Sequence, residues 1–272
     1  LIRAGVRLMV GVDSLEGALR ISQLAQLEQT SVEVRLEIDT GLQRTGVAEA
    51  EAIPIAKEIS RMNGVDLTGI FTFRGPVLHG SPTRDIRSAG HDEGKVLAAL
   101  ARKLRDASVP IKEVSAGSTQ TAIYAAEIDG ITEVRPGTYI YHDRMQVEFG
   151  VCKIEDCAGA VFTTVVSRPA KDRIVVDAGS KAFATDVQPG QPPLYLSGFG
   201  HVIGDPTAIF ERMNEEHGVI TIHPDASYKV GDVIAIIPNH ICSTVNLHNA
   251  MYIKEASGEL RKMAIPARGM LD

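Results

Sequence analysis

The apolar positions of this chain follow two different rhythms, and the rhythm changes after Asp143. Before it, short β-branched runs alternate with segments of helical period. Residues 7–12 read as a strand, and 14–28 as a helix with Ser14 as N-cap and Glu16, Leu19 and Leu24 in helical register. A strand over 32–38, a helix over 49–62 and a strand over 67–73 follow, then a loop rich in Gly, Pro and His through Ser81. The helix expected over 92–107 places Val96, Leu97, Leu100 and Leu104 on one face. Short strands are expected over 113–116, at Val134 and over 139–141. Repeated strand–loop–helix units imply parallel strands joined by right-handed crossovers. This is an α/β pattern with about five strands. A (β/α)8 TIM-type barrel would therefore be incomplete at its start, lacking its first two or three strands. A doubly wound open sheet is the competing architecture.

Beyond Asp143 the apolar segments are short and strand-like, over 160–166, 173–176, 218–222, 230–237 and 250–254. Turns rich in Gly, Pro and Asp separate them and no long helix is expected. That describes an all-β domain of sandwich or small-barrel type. The division is expected between Arg144 and Asp156, giving domains 1–148 and 149–272.

Composition narrows the function classes. The 272 residues are 44% hydrophobic and 23% charged, ordinary values for a globular protein. A net charge of −6 gives no electrostatic footprint for nucleic acid or an anionic membrane. No run approaches the roughly 18 apolar residues of a membrane span. Three cysteines argue against a disulfide framework and for a reducing compartment, with the cytoplasm expected. The chain opens Leu1-Ile2-Arg3-Ala4-Gly5, without an initiator methionine or signal-peptide pattern, and reads as a piece that begins partway through a fold.

Chemistry concentrates where the apolar strand Asp232-Val233-Ile234-Ala235-Ile236-Ile237 runs out into Pro238-Asn239-His240-Ile241-Cys242. If extended geometry continues past Pro238, His240 and Cys242 lie two apart and share a face. An imidazole and a thiolate so placed suit a borderline-soft cation, zinc above all, and two ligands leave positions open for substrate or water. The plainer alternative is a buried cysteine beside a hydrogen-bonded core histidine. His248 is a candidate third ligand. In the first half, Asp39-Thr40-Gly41-Leu42-Gln43-Arg44 ends a strand, with a local Asp39–Arg44 ion pair as its simplest reading. Ser115-Ala116-Gly117-Ser118-Thr119 leads from a strand into a helix and offers small hydroxyl residues and amides that suit a phosphate. Arg135-Pro136-Gly137-Thr138-Tyr139 supplies a second such turn. Asp177-Ala178-Gly179-Ser180-Lys181-Ala182 and Glu215-Glu216-His217-Gly218 each read as a charged hairpin turn, and Cys152 and Cys157 as reduced bystanders. His79, His91, His142, His201 and His223 are loop histidines with no partner visible in sequence.

These motifs, in this order and across essentially the whole chain, resemble the D-serine dehydratase and D-threonine aldolase group, relatives of the alanine racemase amino-terminal barrel. The resemblance implies a fold type III pyridoxal-phosphate enzyme: a barrel plus a β domain, working as a homodimer on a small D-amino acid. Gly117, Ser118, Thr119, Gly137 and Thr138 would then hold the cofactor phosphate, with Tyr139 a further cofactor-binding residue. Arg135 would lie near the pyridine nitrogen, and Arg44 near the cofactor hydroxyl or substrate carboxylate. His240 and Cys242 would hold Zn2+, because His-x-Cys accompanies zinc in the dehydratases and aldolases tend to use His-x-Asp. That favours dehydration over retro-aldol cleavage, with racemisation and a non-catalytic binding module as further alternatives. The family's Schiff-base lysine matches no lysine here and is expected in a segment before Leu1.

Overall fold

Period-two alternation gives each parallel strand an apolar face, and the helix that follows it covers that face. The computed structural model describes residues 1–270. It divides into two units, Leu1–Gly137 and the chain from Thr138 onward. In the first unit the order is β1 (Met9–Val12), α1 (Leu15–Leu27), β2 (Val32–Asp39), β3 (Val47–Ala48), α2 (Glu49–Ile59) and β4 (Val65–Phe71). It continues with β5 (Val77–Leu78), β6 (Ser81–Pro82), α3 (Ile86–Asp106), β7 (Glu113–Ala116), α4 (Ala122–Ala125) and β8 (Glu133–Val134). The main sheet runs β1-β2-β4-β7-β8 with every pairing parallel. Sequential order with no reversal is the neighbour order of a barrel. The doubly wound alternative needs a point where the order turns back.

The two faces of this sheet differ in chemistry. Val34, Leu36 and Ile38 of β2 join Ala52, Ile59, Leu97 and Leu104 in one apolar core. The alternate positions carry charge. Arg35 is level with Gly11 and Gly69, Glu37 with Phe71, Phe71 with Ser115, and Ser115 with Glu133. A polar face opposite the helices is where the candidate site lies.

Two expected elements are corrected. Helix α3 starts at Ile86, capped by Asp85 accepting from the Ser88 amide at 3.0 Å, and not at residue 92. Gly90 hides this start in the sequence. It is glycine because a Cβ there would lie 2.7 Å from the Thr121 carbonyl oxygen, where α3 passes the turn before α4. The strand expected over 139–141 is a turn of 3-10 helix, Thr138–Ile140, closed by the Tyr141 and His142 amides donating to the Thr138 carbonyl at 3.1 and 2.8 Å.

The second unit holds α5 (Arg144–Glu148), β9 (Val161–Ala170), β10 (Arg173–Val176), β11 (Gly200–Val202), β12 (Ile209–Met213), β13 (Gly218–Thr221) and β14 (Val233–Pro238). A short helix α6 (Ile241–Val245) and the hairpin β15 (Ala250–Lys254) and β16 (Leu260–Ala264) follow. Six strands form one antiparallel sheet in the order β11-β14-β9-β10-β13-β12. Its edges approach each other, since the Phe199 amide beside β11 donates to the Phe210 carbonyl of β12 at 2.8 Å. The near-closed sheet surrounds Phe183, Phe210, Ile174, Ile220 and Ile236, with the Phe183 and Phe210 rings edge to face at 5.0 Å. Residues 138–148 fall in this unit, where the Met145 amide donates to the Asn239 carbonyl at 3.1 Å. Among the described residues no helix is long and apolar enough to cross a membrane.

Candidate active site

On the polar face of the first unit the strand ends assemble a charged relay. Arg35 Nη1 donates to Glu133 Oε1 at 2.6 Å, and the Ser115 hydroxyl donates to the same oxygen at 2.6 Å. Ser115 accepts in turn from Arg135, whose other terminal nitrogen donates to the Thr72 carbonyl at 2.5 Å. The Arg135 guanidinium stands 5.0 Å from the centroid of the Phe71 ring. Burial pushes the Glu133 carboxyl up, but the bonds from Arg35 and Ser115 and the two neighbouring cations outweigh it, so it titrates below the ordinary glutamate range.

At the end of β2, Asp39 Oδ1 accepts from the amides of Gly41 and Gln43 at 2.8 and 3.1 Å. Arg44 is exposed and lies over the Phe73 ring, 4.9 Å from its centroid, so the cation–π contact replaces the expected pair with Asp39. After β7 the chain turns at Gly117 (φ +85°), where a Cβ would come within 2.8 Å of the Ala122 Cα. Ser118 is buried, its hydroxyl bonded to Gln120 and Thr121 at 2.8 and 3.1 Å. Beneath it the buried Glu93 accepts from the Thr121 hydroxyl and the Arg74 amide, both at 3.1 Å. The Ser118 hydroxyl therefore builds the turn. The amides of Thr119 and Gln120 take no backbone acceptor among the described residues, and such free amides suit a phosphate.

In the second unit, His240 and Cys242 come together by a route other than the expected one. Strand β14 ends at Pro238, and His240 is the N-cap of α6, with Cys242 in its first turn. Asn239 holds this corner by donating to the Gly198 carbonyl at 2.9 Å, and Thr244 donates back to the His240 carbonyl at 2.8 Å. Fully buried Asp143 accepts from the Ile241 amide at 2.9 Å and from Gln146 of α5 at 3.0 Å, so one carboxylate caps both short helices. Asp143→Ala strands two amides and is expected to cost about 2–4 kcal/mol in urea denaturation of the chain.

The imidazole and thiol are paired. Hydrogen bonding to Cys242 raises His240 to about 9, against burial, with Asp186 adding to the rise; the same bond lowers Cys242, again against burial. His240 Nδ1 is 2.5 Å from Asp186 Oδ2, and Thr138 Oγ1 is 3.5 Å from Cys242 Sγ. One imidazole plus one thiol with enhanced thiolate character fits a zinc ion held at two points, the remaining positions open. Among the described residues no three His, Cys, Asp or Glu side chains form a ready metal cage.

His248 Nε2 lies 3.1 Å from the Ala182 carbonyl oxygen, a contact that leaves Nδ1 without this partner. Gly137 has open space where a Cβ would stand, and Tyr139 is exposed. Lys181 is held by Glu215 and Glu216, each at 3.0 Å, in an exposed turn, and Asp177 braces Thr163 and the Thr164 amide. The Cys152 and Cys157 thiols hydrogen-bond to each other, and burial first of all pushes Cys157 up to about 12, so both are protonated. His91 finds Glu127 at 2.7 Å. Asp186, Asp143 and Arg35 escaped the sequence reading, and Ser115 entered it only as the start of a phosphate turn. Only Arg35, a charge inside an apolar strand, gave a signal there.

Residues 1–145 match the family described as "Alanine racemase, N-terminal domain", and residues 158–254 match the "Putative serine dehydratase domain". D-threo-3-hydroxyaspartate dehydratase of Delftia sp. (strain HT23) is 32% identical over 258 residues, covering 89% of this chain and 67% of that protein. D-serine dehydratase of Dictyostelium discoideum is 30% identical, covering 81% and 60%, and D-threonine aldolase of Arthrobacter sp. is 26% identical, covering 91% and 64%. The chain thus spans about two thirds of the length of these curated relatives. Among solved structures, a cysteine-to-alanine mutant of D-threo-3-hydroxyaspartate dehydratase in the metal-free form superposes with a TM-score of 0.83 at 29% identity, covering 97% of this chain and 73% of that one.

Proposed function

The chain belongs to the alanine racemase-like family that carries a serine dehydratase domain, and from this we propose that the whole protein is a pyridoxal-phosphate and zinc-dependent dehydratase of D-serine or a related β-hydroxy-D-amino acid. The observation that carries the reading is the His240–Cys242 pair, with its lowered thiol. A thiolate selects zinc over harder ions. Support also comes from the relative whose cysteine-to-alanine mutant has a metal-free form.

Bound pyridoxal phosphate supplies an electron sink for the substrate's α-carbon, and bound zinc supplies a Lewis acid for the departing hydroxyl. The chain's own residues do the rest. His240 and Cys242 fix the ion from one corner of α6. The turn at Gly117, Ser118 and Thr119 is proposed to hold the cofactor phosphate, with Gly137, Thr138 and Tyr139 assigned by family likeness. Arg135, pinned by Ser115, Thr72 and Phe71, offers a cation held in one orientation. Arg44, exposed and stacked on Phe73, is the proposed partner for a carboxylate. The family likeness further carries a homodimer.

The test is product identity. The full-length protein, loaded with both cofactors, is given D-serine, D-threonine and D-threo-3-hydroxyaspartate. A keto acid with ammonia is expected. Glycine with an aldehyde would replace this reading by a retro-aldol one, and loss of optical activity without either product would replace it by racemisation.

A further inference from the structure

Asp186 lies outside every motif that marks this chain as a lyase relative, on the irregular segment between β10 and β11. It is nevertheless the residue that grips the histidine of the candidate metal pair. Its Oδ2 stands 2.5 Å from His240 Nδ1 and accepts from the Ser243 hydroxyl at 3.1 Å. A neutral imidazole has one lone pair, and whichever ring nitrogen carries the proton cannot coordinate. A carboxylate on Nδ1 keeps the proton at Nδ1 and leaves Nε2 as the donor.

We propose that Asp186 is the positioning carboxylate of the metal site: it fixes His240 as an Nε2 ligand beside Cys242, and Ser243 holds Asp186 to that task. The inference rests on the zinc reading above and adds to it a residue that the sequence did not mark. Three of the four participants, His240, Cys242 and Ser243, sit on the N-cap and first turn of α6, so the helix sets their spacing. Asp186 is the one brought from elsewhere, and both of its contacts use a single oxygen. Ring orientation matters more here than in a closed four-ligand site. With two protein bonds, the ion itself does little to hold the imidazole plane, and the hydrogen bond at Nδ1 is what resists its rotation. The competing role is purely structural, a His240–Asp186 tie that fastens the 182–188 segment to α6. In that case removing it would soften the fold and leave metal affinity alone.

Zinc affinity of the full-length protein, measured by competition with a chromophoric chelator, separates the two. Wild type, Asp186→Ala, Asp186→Asn, Ser243→Ala and Cys242→Ala are compared, each also titrated with Co2+ to read the visible bands of the bound ion. Asp186→Ala is expected to bind zinc about 10–100-fold more weakly, with altered Co2+ bands. Asp186→Asn, which keeps an oxygen for Nδ1, is expected to fall between it and wild type, and Ser243→Ala to lose less than Asp186→Ala. The Asp186 side chain is 45% exposed, so these variants are expected to fold, and a thermal melt of the metal-free proteins checks it. Zinc affinity within twofold of wild type in both Asp186 variants overturns the role, whatever their melting points. Wild type binding zinc no better than Cys242→Ala overturns the zinc reading itself and Asp186 with it. Zinc bound normally by wild type but equally well without Asp186 removes only this inference.

Discussion

Cys242→Ala in the full-length protein is expected to slow elimination of the β-hydroxyl at least about 1,000-fold while the pyridoxal phosphate stays bound. The size follows from the chemistry of the leaving group. Hydroxide is a poor one, and a Lewis acid on its oxygen contributes several kcal/mol at the transition state. Each 1.36 kcal/mol is a factor of ten, so about 4 kcal/mol accounts for three decades. Removing the thiol leaves His240 as the only protein ligand from α6. A single imidazole does not retain zinc against a chelator, and the Lewis acid is lost with it. Cys242 is exposed and its side-chain contacts within the unit are with His240 and Thr138, so the substitution is expected to leave folding almost unchanged. Cofactor absorbance, which does not depend on the metal, reports that the rest of the site survives. Chelation of the wild-type protein is expected to reproduce the defect and added zinc to reverse it, whereas added zinc is not expected to rescue Cys242→Ala. Full activity in rigorously metal-free wild-type protein, or a variant retaining more than a tenth of the rate, would remove zinc from the chemistry.

The His240–Cys242 pair shows what the sequence could and could not convey. His240 and Cys242 were legible as donors because their side-chain chemistry is rare at close spacing. The reason first attached to them, alternation along a strand, is not how they meet. Pro238 ends β14, Asn239 turns the chain, and the two side chains converge across a helix N-terminus. Spacing of two residues is compatible with both geometries, so the sequence alone had no means to choose. Asp186 was illegible for a simpler reason: it is an acidic residue on a loop distant in sequence from its partner, with no periodicity to place it. In the first unit the parallel strands could be read because apolar runs and helical segments alternate, but their order could not, since a barrel and a doubly wound sheet share that alternation. The start of α3 was lost because Gly90 resembles a breaker, and only the approach of the Thr121 carbonyl explains it. The strand expected over 139–141 failed likewise. Tyr139 and Ile140 have strand propensity, and a setting that folds the Tyr141 and His142 amides back on Thr138 overrides it.

Glu133→Gln is expected to destabilise the first unit by about 2–3 kcal/mol at neutral pH, and the penalty is expected to shrink as the solution is acidified. Arg35 and Arg135 approach the same carboxylate from two sides, one directly and one through Ser115. The Arg35 side chain is 10% exposed and that of Glu133 34%, so this is a pair taken largely out of water. Breaking a fully buried pair by neutralising one member costs about 3–5 kcal/mol, chiefly by leaving the other charge uncompensated, and partial exposure of Glu133 scales that down. The Gln side chain also presents an amide to two guanidinium groups, so two like charges remain without the anion between them. The pH dependence follows from the direction of the Glu133 shift. Its carboxyl titrates lower in the folded chain than in the unfolded one, because the bonds from Arg35 and Ser115 outweigh burial. The stability it contributes is therefore fully present above the unfolded carboxylate range and disappears as pH falls through the lower, folded value. Wild type and Glu133→Gln should accordingly converge in acid and diverge toward neutrality when their urea midpoints are followed with pH. A constant gap between them would mean that shape and hydrogen bonding, and not charge, make Glu133 the centre of the relay that carries Arg135.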